Sequence, residues 1–336
     1  MRLALRFGAA AVGCAIAIAL VAFYGTADIG KAIIGAGWGI LLLIAYHLTQ
    51  LLFTALAWRT VLPARSAPRL AIVMGLRWIR EAINSLLPVA QIGGELVSIR
   101  LLGLAGVPLG TGAASVTVDL TLEFLTQIVL TLIGLALLIP DGNAPLAPWI
   151  LGGAAAATGI LLALVSVQRF GLFRLIEQGL IWLSAKMGWS TLGEITGLDR
   201  EIVALYKAPG RLCVAGSFHL ISWLLGGLEV MIALRFVDVS VDLREGLIIE
   251  SLAQALRAVG FAVPGSLGVQ EAGYVVACGL VGVSPQAAIE LSFLKRIRDV
   301  AYGVPGLVTW YAIEARRFAN RIGVSQSDKR QSESAL

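Results

Sequence analysis

Apolar runs long enough to cross a bilayer recur along the chain, at 5–24, 38–58, 111–139, 148–167, 211–235 and 286–314. A hydrocarbon core of about 30 Å takes about 20 apolar residues in a helix. Lipid offers the backbone no hydrogen-bond partner, so each run predicts a transmembrane α-helix. The alternating short strands of a membrane β-barrel do not occur in the pattern. The first run follows Arg2 and Arg6, as a signal peptide would. Its apolar stretch is longer than a signal core, and the repeat described next requires it, so it reads as a permanent helix.

Two further segments are apolar but interrupted. Ala82–Gly106 carries Pro88, Gln91, Gly93, Gly94 and Glu95; Gln254–Gly282 carries Pro264, Gly265, Gly268, Gln270 and Glu271. Proline and glutamate are seven residues apart in each, and the copies are offset by 176. Each segment ends in Gly-Val shortly before a second proline, Pro108 and Pro285. The two histidines of the chain, His47 and His219, lie in the apolar run before each broken segment, at an offset of 172. Such internal correspondence signals a repeat. A Pro/Gly break at membrane depth suits a re-entrant hairpin, so each half crosses three times and the second half is inserted upside down, as in many transporters. Kinked, fully spanning helices are the alternative. The expected fold is an all-α polytopic membrane protein: about six transmembrane helices and two re-entrant hairpins in two inverted-topology repeats. Residues 1–140 form the first repeat, with its re-entrant segment at 77–106. Residues 141–316 form the second, with re-entrant segment 246–283, and 317–336 form a polar, disordered cytoplasmic tail. Between the repeats, 168–208 places Phe170, Phe173, Ile176, Leu180, Leu183 and Met187 at helical spacing among polar residues, which predicts an interfacial amphipathic helix.

Composition agrees with a membrane protein: 58% hydrophobic and 14% charged, with mean hydropathy +0.85, against about 25% charged in soluble domains. The net charge is +5. With the N-terminus inside, Arg59, Arg65, Arg69, Arg77 and Arg80 in a 59–80 loop, the basic residues of 168–211 and those of the tail share one side, which places both termini in the cytoplasm. Charges that flank spans in this way exclude a nucleic-acid surface. Cys14, Cys213 and Cys278 lie in apolar runs without metal spacing and read as small core residues.

Ionisable groups in spanning helices cost roughly 2.5–3.5 kcal/mol each and belong in a protein interior or a wet cavity. Asp119 and Glu123 share one helix face. Lys295, Arg296, Arg298 and Asp299 sit in the middle of the last run, and counting from the second proline of each copy sets Arg296 opposite Asp119. The acids of one helix are therefore expected to face the bases of its mate around a polar cavity, where Arg can grip a phosphate; a structural ion-pair network is the other reading. Glu95 and Glu271 can be proton sites, anchors for the breaks or ligands for an amine-bearing headgroup. His47 and His219 can titrate near neutral pH or act as interhelical hydrogen bonders. Residues 25–31 imitate a phosphate-binding loop, but Ala32 replaces its Ser/Thr. No catalytic motif is present, and no cofactor or metal is expected.

Through PVAQIGGE (88–95) and PGSLGVQE (264–271) the chain resembles the flippase-like family named after the membrane region of lysylphosphatidylglycerol synthase. The resemblance covers residues 1–316, and AQIGGELVSIRLL resembles the hopanoid-associated branch. Ser266 stands where the family often has glycine, and Arg100 lies farther past Glu95 than the family's arginine. The resemblance implies movement of a lipid, a hopanoid or another polar-headgroup lipid, between leaflets of the bacterial inner membrane, without the soluble aminoacyl-transferase domain of bifunctional members. A lipid substrate is the expected partner, with biosynthetic enzymes at the cytoplasmic face. The rivals are an intramembrane lipid-modifying enzyme and a non-transporting assembly subunit.

Overall fold

The computed structural model describes residues 37–87, 93–138, 198–259 and 268–333, with Gly152 and Gly159; side chains are described through Arg316. The expected helices at 5–24 and 148–167, positions 168–197, and Pro88, Gln91, Pro264 and Gly265 lie outside the described residues.

All regular structure among the described residues is helical. In chain order the helices are α1 (Gly39–Val61), α2 (Leu70–Leu86), α3 (Gly93–Leu104), α4 (Leu109–Leu137), α5 (Leu198–Tyr206), α6 (Pro209–Arg235), α7 (Leu243–Val259), α8 (Val269–Leu280) and α9 (Pro285–Glu333). Three of them, α1, α4 and α6, are long and apolar enough to cross a membrane. At 1.5 Å per residue their 23, 29 and 27 residues span roughly 35–44 Å. Prolines mark several starts. Pro209 and Pro285 open α6 and α9, and Pro108 precedes α4, positions where the missing N–H has no intrahelical partner to lose. Helix α9 continues beyond the 286–314 run into the polar residues expected to be a disordered tail.

The arrangement is inside-out relative to a soluble bundle. Large apolar side chains face outward on most helices, among them Leu41, Leu48, Phe124, Ile221, Val276 and Val308. Arginines, lysine and carboxylates are buried within. Exposed apolar surface of this extent calls for a covering medium, and lipid is the one that suits helices of this length. The protein is membrane-embedded.

Helix contacts follow a regular scheme. Helix α1 packs along α6. The pair α2–α3 folds back on itself, as does α7–α8, and α2 lies on α9 as α7 lies on α4. The contacts α1–α2, α3–α4 and α1–α4 have counterparts in α6–α7, α8–α9 and α6–α9, and α1–α9 has its counterpart in α4–α6. The apolar core is correspondingly split. One cluster gathers residues of α1 to α5 with the start of α6; the other gathers residues of α6 to α9 with Leu43 of α1. Within the segment expected to be amphipathic, α5 turns Leu198, Ile202 and Leu205 inward and docks on α4.

One sequence expectation is corrected here. Arg77 and Arg80 are not loop residues on the membrane surface. They lie in α2, 3% and 2% exposed, because Leu76, Ile79 and Ile83 carry the helix into the core beside them.

Candidate functional site: a buried charge network at the two breaks

Helix α2 presents Arg77, Arg80, Glu81 and Asn84 at steps of three and four, a single polar stripe. Arg77 donates through Nη1 to Asp119 Oδ2 at 3.2 Å, through Nη2 to Glu123 Oε1 at 2.6 Å and through Nε to Glu81 Oε1 at 3.2 Å. Arg80 donates through Nη1 to Asp119 Oδ2 at 2.8 Å and through Nε to Glu95 Oε1 at 3.0 Å. Its Nη2 lies 3.4 Å from Glu123 Oε2, and its guanidinium sits over the Trp58 ring. The planar five-donor fork of arginine serves several carboxylates at once, which a lysine ammonium does less well.

The first break is fastened by its flanks. Asn84 Nδ2 donates to Glu95 Oε1 at 3.0 Å, and Asn84 Oδ1 accepts from the Gly94 N–H at 2.9 Å. Gly94 packs so closely that an added Cβ would stand 2.4 Å from the Arg80 carbonyl oxygen. The second break ends differently. Gly268, at φ +79°, occupies the left-handed region that glycine enters without strain, and its N–H donates to Glu271 Oε2 at 2.7 Å. Arg296 donates to Glu271 Oε1 at 3.3 Å. Both glutamates are thus held at the first turn of the helix that follows a break, and anchoring is the role their contacts show. Gln270 is buried as well, with no partner for Oε1 among the described residues. Gly93 opens α3.

In the second half, Lys295 Nζ donates to Glu250 Oε2 at 2.5 Å, Tyr274 donates its hydroxyl hydrogen to the same oxygen at 3.2 Å, and Gln254 reaches Glu250 Oε1 at 2.8 Å. Arg298 donates to Glu229 and, at 2.6 Å, to Asp299 Oδ1. Gln50 donates to Glu229 Oε2 at 2.5 Å.

The acids of α4 and the bases of α9 do not face each other as the sequence count suggested. Asp119 and Glu123 are satisfied by Arg77 and Arg80, while Lys295, Arg296 and Arg298 are satisfied by Glu250, Glu271 and Glu229. The register also moves by one residue. Pro108 precedes the first residue of α4 whereas Pro285 is the first residue of α9, so Lys295, not Arg296, stands at the level of Asp119. On the same registration of α2 with α7, Arg77 corresponds to Glu250. The first half therefore pairs a base on its broken helix with an acid on its long helix, and the second half reverses the signs.

The two histidines join these clusters. His219 of α6 places Nε2 2.9 Å from Asp119 Oδ1. His47 of α1 lies between Glu81 and Glu229, its Nε2 3.6 Å from one and its Nδ1 3.7 Å from the other. Its ring meets the Tyr302 ring edge-on, and Tyr302 donates to Glu81 Oε2 at 3.0 Å. Ion pairs join Glu95, Arg80, Asp119, Glu123, Arg77 and Glu81 in one group and Glu229, Arg298 and Asp299 in another, with His47 between them; Glu81 and Glu123, whose side chains are 26% and 24% exposed, are the openings of the first. Arg77, Arg80, Glu81, Asn84, Glu229, Glu250, Tyr274 and Tyr302 were not singled out by the sequence pattern. The stripe on α2 was legible as a 3-1-3 spacing, and Glu229 as an acid within an apolar helix.

Residues 10–306 match the family model described as lysylphosphatidylglycerol synthase TM region. The chain belongs to this family. The match spans both broken segments and the whole network, so the charges described above lie in the family's shared membrane region. Comparison with curated proteins and with solved structures gave no match. As a member of the lysylphosphatidylglycerol synthase TM region family, the chain is a membrane protein related to lipid handling. Among the described residues no group of His, Cys, Asp and Glu has an arrangement suited to a metal ion.

Proposed function

We propose that the protein moves a polar-headgroup lipid between the leaflets of the bacterial inner membrane, with a hopanoid derivative as one candidate. The observation that carries this reading is the set of buried charges beside both breaks, Glu95 with Arg80 and Asp119 in the first half and Glu271 with Arg296 in the second, with His47 set between Glu81 and Glu229 where the halves meet. A headgroup crossing hydrocarbon needs replacements for its hydration, and charges held inside a bundle supply them. Ion pairs can open and re-form around a phosphate or an amine. Glu81 and Glu123, the partly exposed members, are the entry points.

The matched helix contacts and the reversed ion pairs support two inverted repeats. On that arrangement α2–α3 and α7–α8 are re-entrant hairpins entering from opposite sides, about six helices cross, and both termini lie in the cytoplasm. Helices α3 and α8, of 12 residues each, reach roughly 18 Å, short of a full crossing. The protein acts without chemistry on the lipid.

The deciding experiment reconstitutes the pure protein in liposomes and follows leaflet exchange of labelled phosphatidylglycerol, phosphatidylethanolamine and a hopanoid. Exchange is expected from the parent and lost in Arg298→Ala and Glu271→Gln. No exchange of any lipid would sink the reading.

A further inference from the structure

Among the described residues the network is short of positive charge, and the shortage lies in one place. In the second half four carboxylates (Glu229, Glu250, Glu271, Asp299) meet four fixed cations, Lys295, Arg296, Arg298 and Arg257, which acts on Asp299. In the first half four carboxylates (Glu81, Glu95, Asp119, Glu123) share only Arg77 and Arg80. Among the described residues, two negative charges are left over, and both histidines lie against them: His219 against Asp119, His47 against Glu81. Uncompensated charge in a buried site is strongly unfavourable.

The ring geometry shows where the missing charge goes. Asp119 is held by two guanidiniums and is a carboxylate, which only accepts hydrogen bonds. Nε2 of His219, 2.9 Å away, therefore carries the hydrogen. In the neutral ring Nδ1 is then a bare lone pair, and this atom is buried with no partner among the described residues. His47 has a carboxylate on each side, at 3.6 and 3.7 Å, and its Nδ1 too is buried with no hydrogen-bond partner among the described residues; a positive ring there would be attracted by both acids.

We propose that His47 and His219 are the proton-binding sites that couple lipid movement to a proton gradient. This rests on the translocation reading above. Uptake adds one proton to a ring lone pair and one positive charge, and release returns both; no other bond changes. Each ring belongs to one half and lies against an acid of the other, His219 against Asp119 and His47 against Glu229, so charging it tightens the contact between the halves and discharging it loosens that contact for a headgroup. The surroundings of each ring set its response. His219 faces Asp119 and Glu123 from α4 and, through them, Arg77 and Arg80 from α2. On the α7 side Glu250 lies against Gly226 of the same helix as His219. His47 faces Glu81, with its partner Arg77, from α2; Glu229 from α6; and Arg298, Asp299 and Tyr302 from α9.

The chain has only two histidines, so histidine-selective ¹⁵N labelling of the full chain in nanodiscs gives one imidazole signal set per site. Each ring is expected to change its charge state within the pH range over which the protein stays folded. Asp119→Asn is expected to change the His219 imidazole signals, with a smaller effect on those of His47. Rings that keep one charge state across the range overturn the proton sites. Coupling is read in proteoliposomes of phosphatidylethanolamine and phosphatidylglycerol carrying fluorescent phosphatidylglycerol, with a pH gradient of either sign. The parent's exchange rate is expected to differ at least threefold between the two signs. That response is expected to vanish in His219→Gln, whose amide N–H keeps the bond to Asp119 without a protonatable atom, and in His47→Gln, both checked for an intact thermal transition. Equal rates with both signs overturn the coupling and leave lipid movement standing. Absence of exchange overturns translocation and the coupling with it, while the imidazole spectra still decide whether protons bind.

Discussion

Arg80, like Arg77, holds three carboxylates of the first half: Asp119, Glu95 and Glu123 all depend on it. Truncation would leave a fully buried Asp119 and a nearly buried Glu95 short of a cation, which costs about 3–5 kcal/mol when a buried pair is broken. Arg80→Ala is therefore expected to lower thermal stability sharply in a detergent unfolding assay. Arg80→Lys is expected to recover less than half of the loss, because one ammonium cannot reproduce the forked contacts. Arg100 and Glu314 are bonded at 2.8 Å but partly exposed. Arg100→Ala is expected to cost under about 1 kcal/mol, and a loss matching that of Arg80→Ala would contradict this weighting of burial. At this scale the sequence was readable in part. Asp119, Glu123 and the 295–299 cluster stood out as charges in apolar runs. Arg77 and Arg80 were masked by the loop-like sequence before them, where Pro63, Pro68 and three further arginines precede the turn into α2.

Among the elements, the hairpin α2–α3 depends on how closely its arms approach. Gly94→Ala would drive a methyl group to 2.4 Å from the Arg80 carbonyl oxygen, so the arms must part. Overpacking of this kind costs about 1–3 kcal/mol. It would also pull Glu95 from Asn84 and Arg80, so loss of lipid exchange is expected to exceed the loss of folded protein, measured on the same preparation. Helix existence was legible because apolar length alone specifies a span, and α1, α4 and α6 start and end within a few residues of the 38–58, 111–139 and 211–235 runs. The division of each broken segment was not. Where α2 stops and α3 begins is set by Asn84 bridging to Gly94 and Glu95, a contact that periodicity does not report.

For the whole molecule, the reversed pairs make a sharp test. Glu250→Lys or Lys295→Glu alone sets like charges at a buried contact, whereas the double variant rebuilds the pair with the polarity of Arg77 and Asp119. The singles are expected to lose most of the folded protein in a melting assay, and the double to regain at least half of the lost stability. A double variant no better than the worse single would mean that the surrounding Tyr274 and Arg298 fix the polarity. Which residues meet across the halves could not be read from sequence, since His219 and Asp119 are 100 positions apart and no local rule joins them. Their separation has a consequence for biogenesis. The ribosome delivers Asp119 first, and this buried carboxylate is without its imidazole until α6 follows roughly a hundred residues later. During that interval Arg77 and Arg80 alone are at hand to hold Asp119, and the contact between the halves can close only once the second has been inserted.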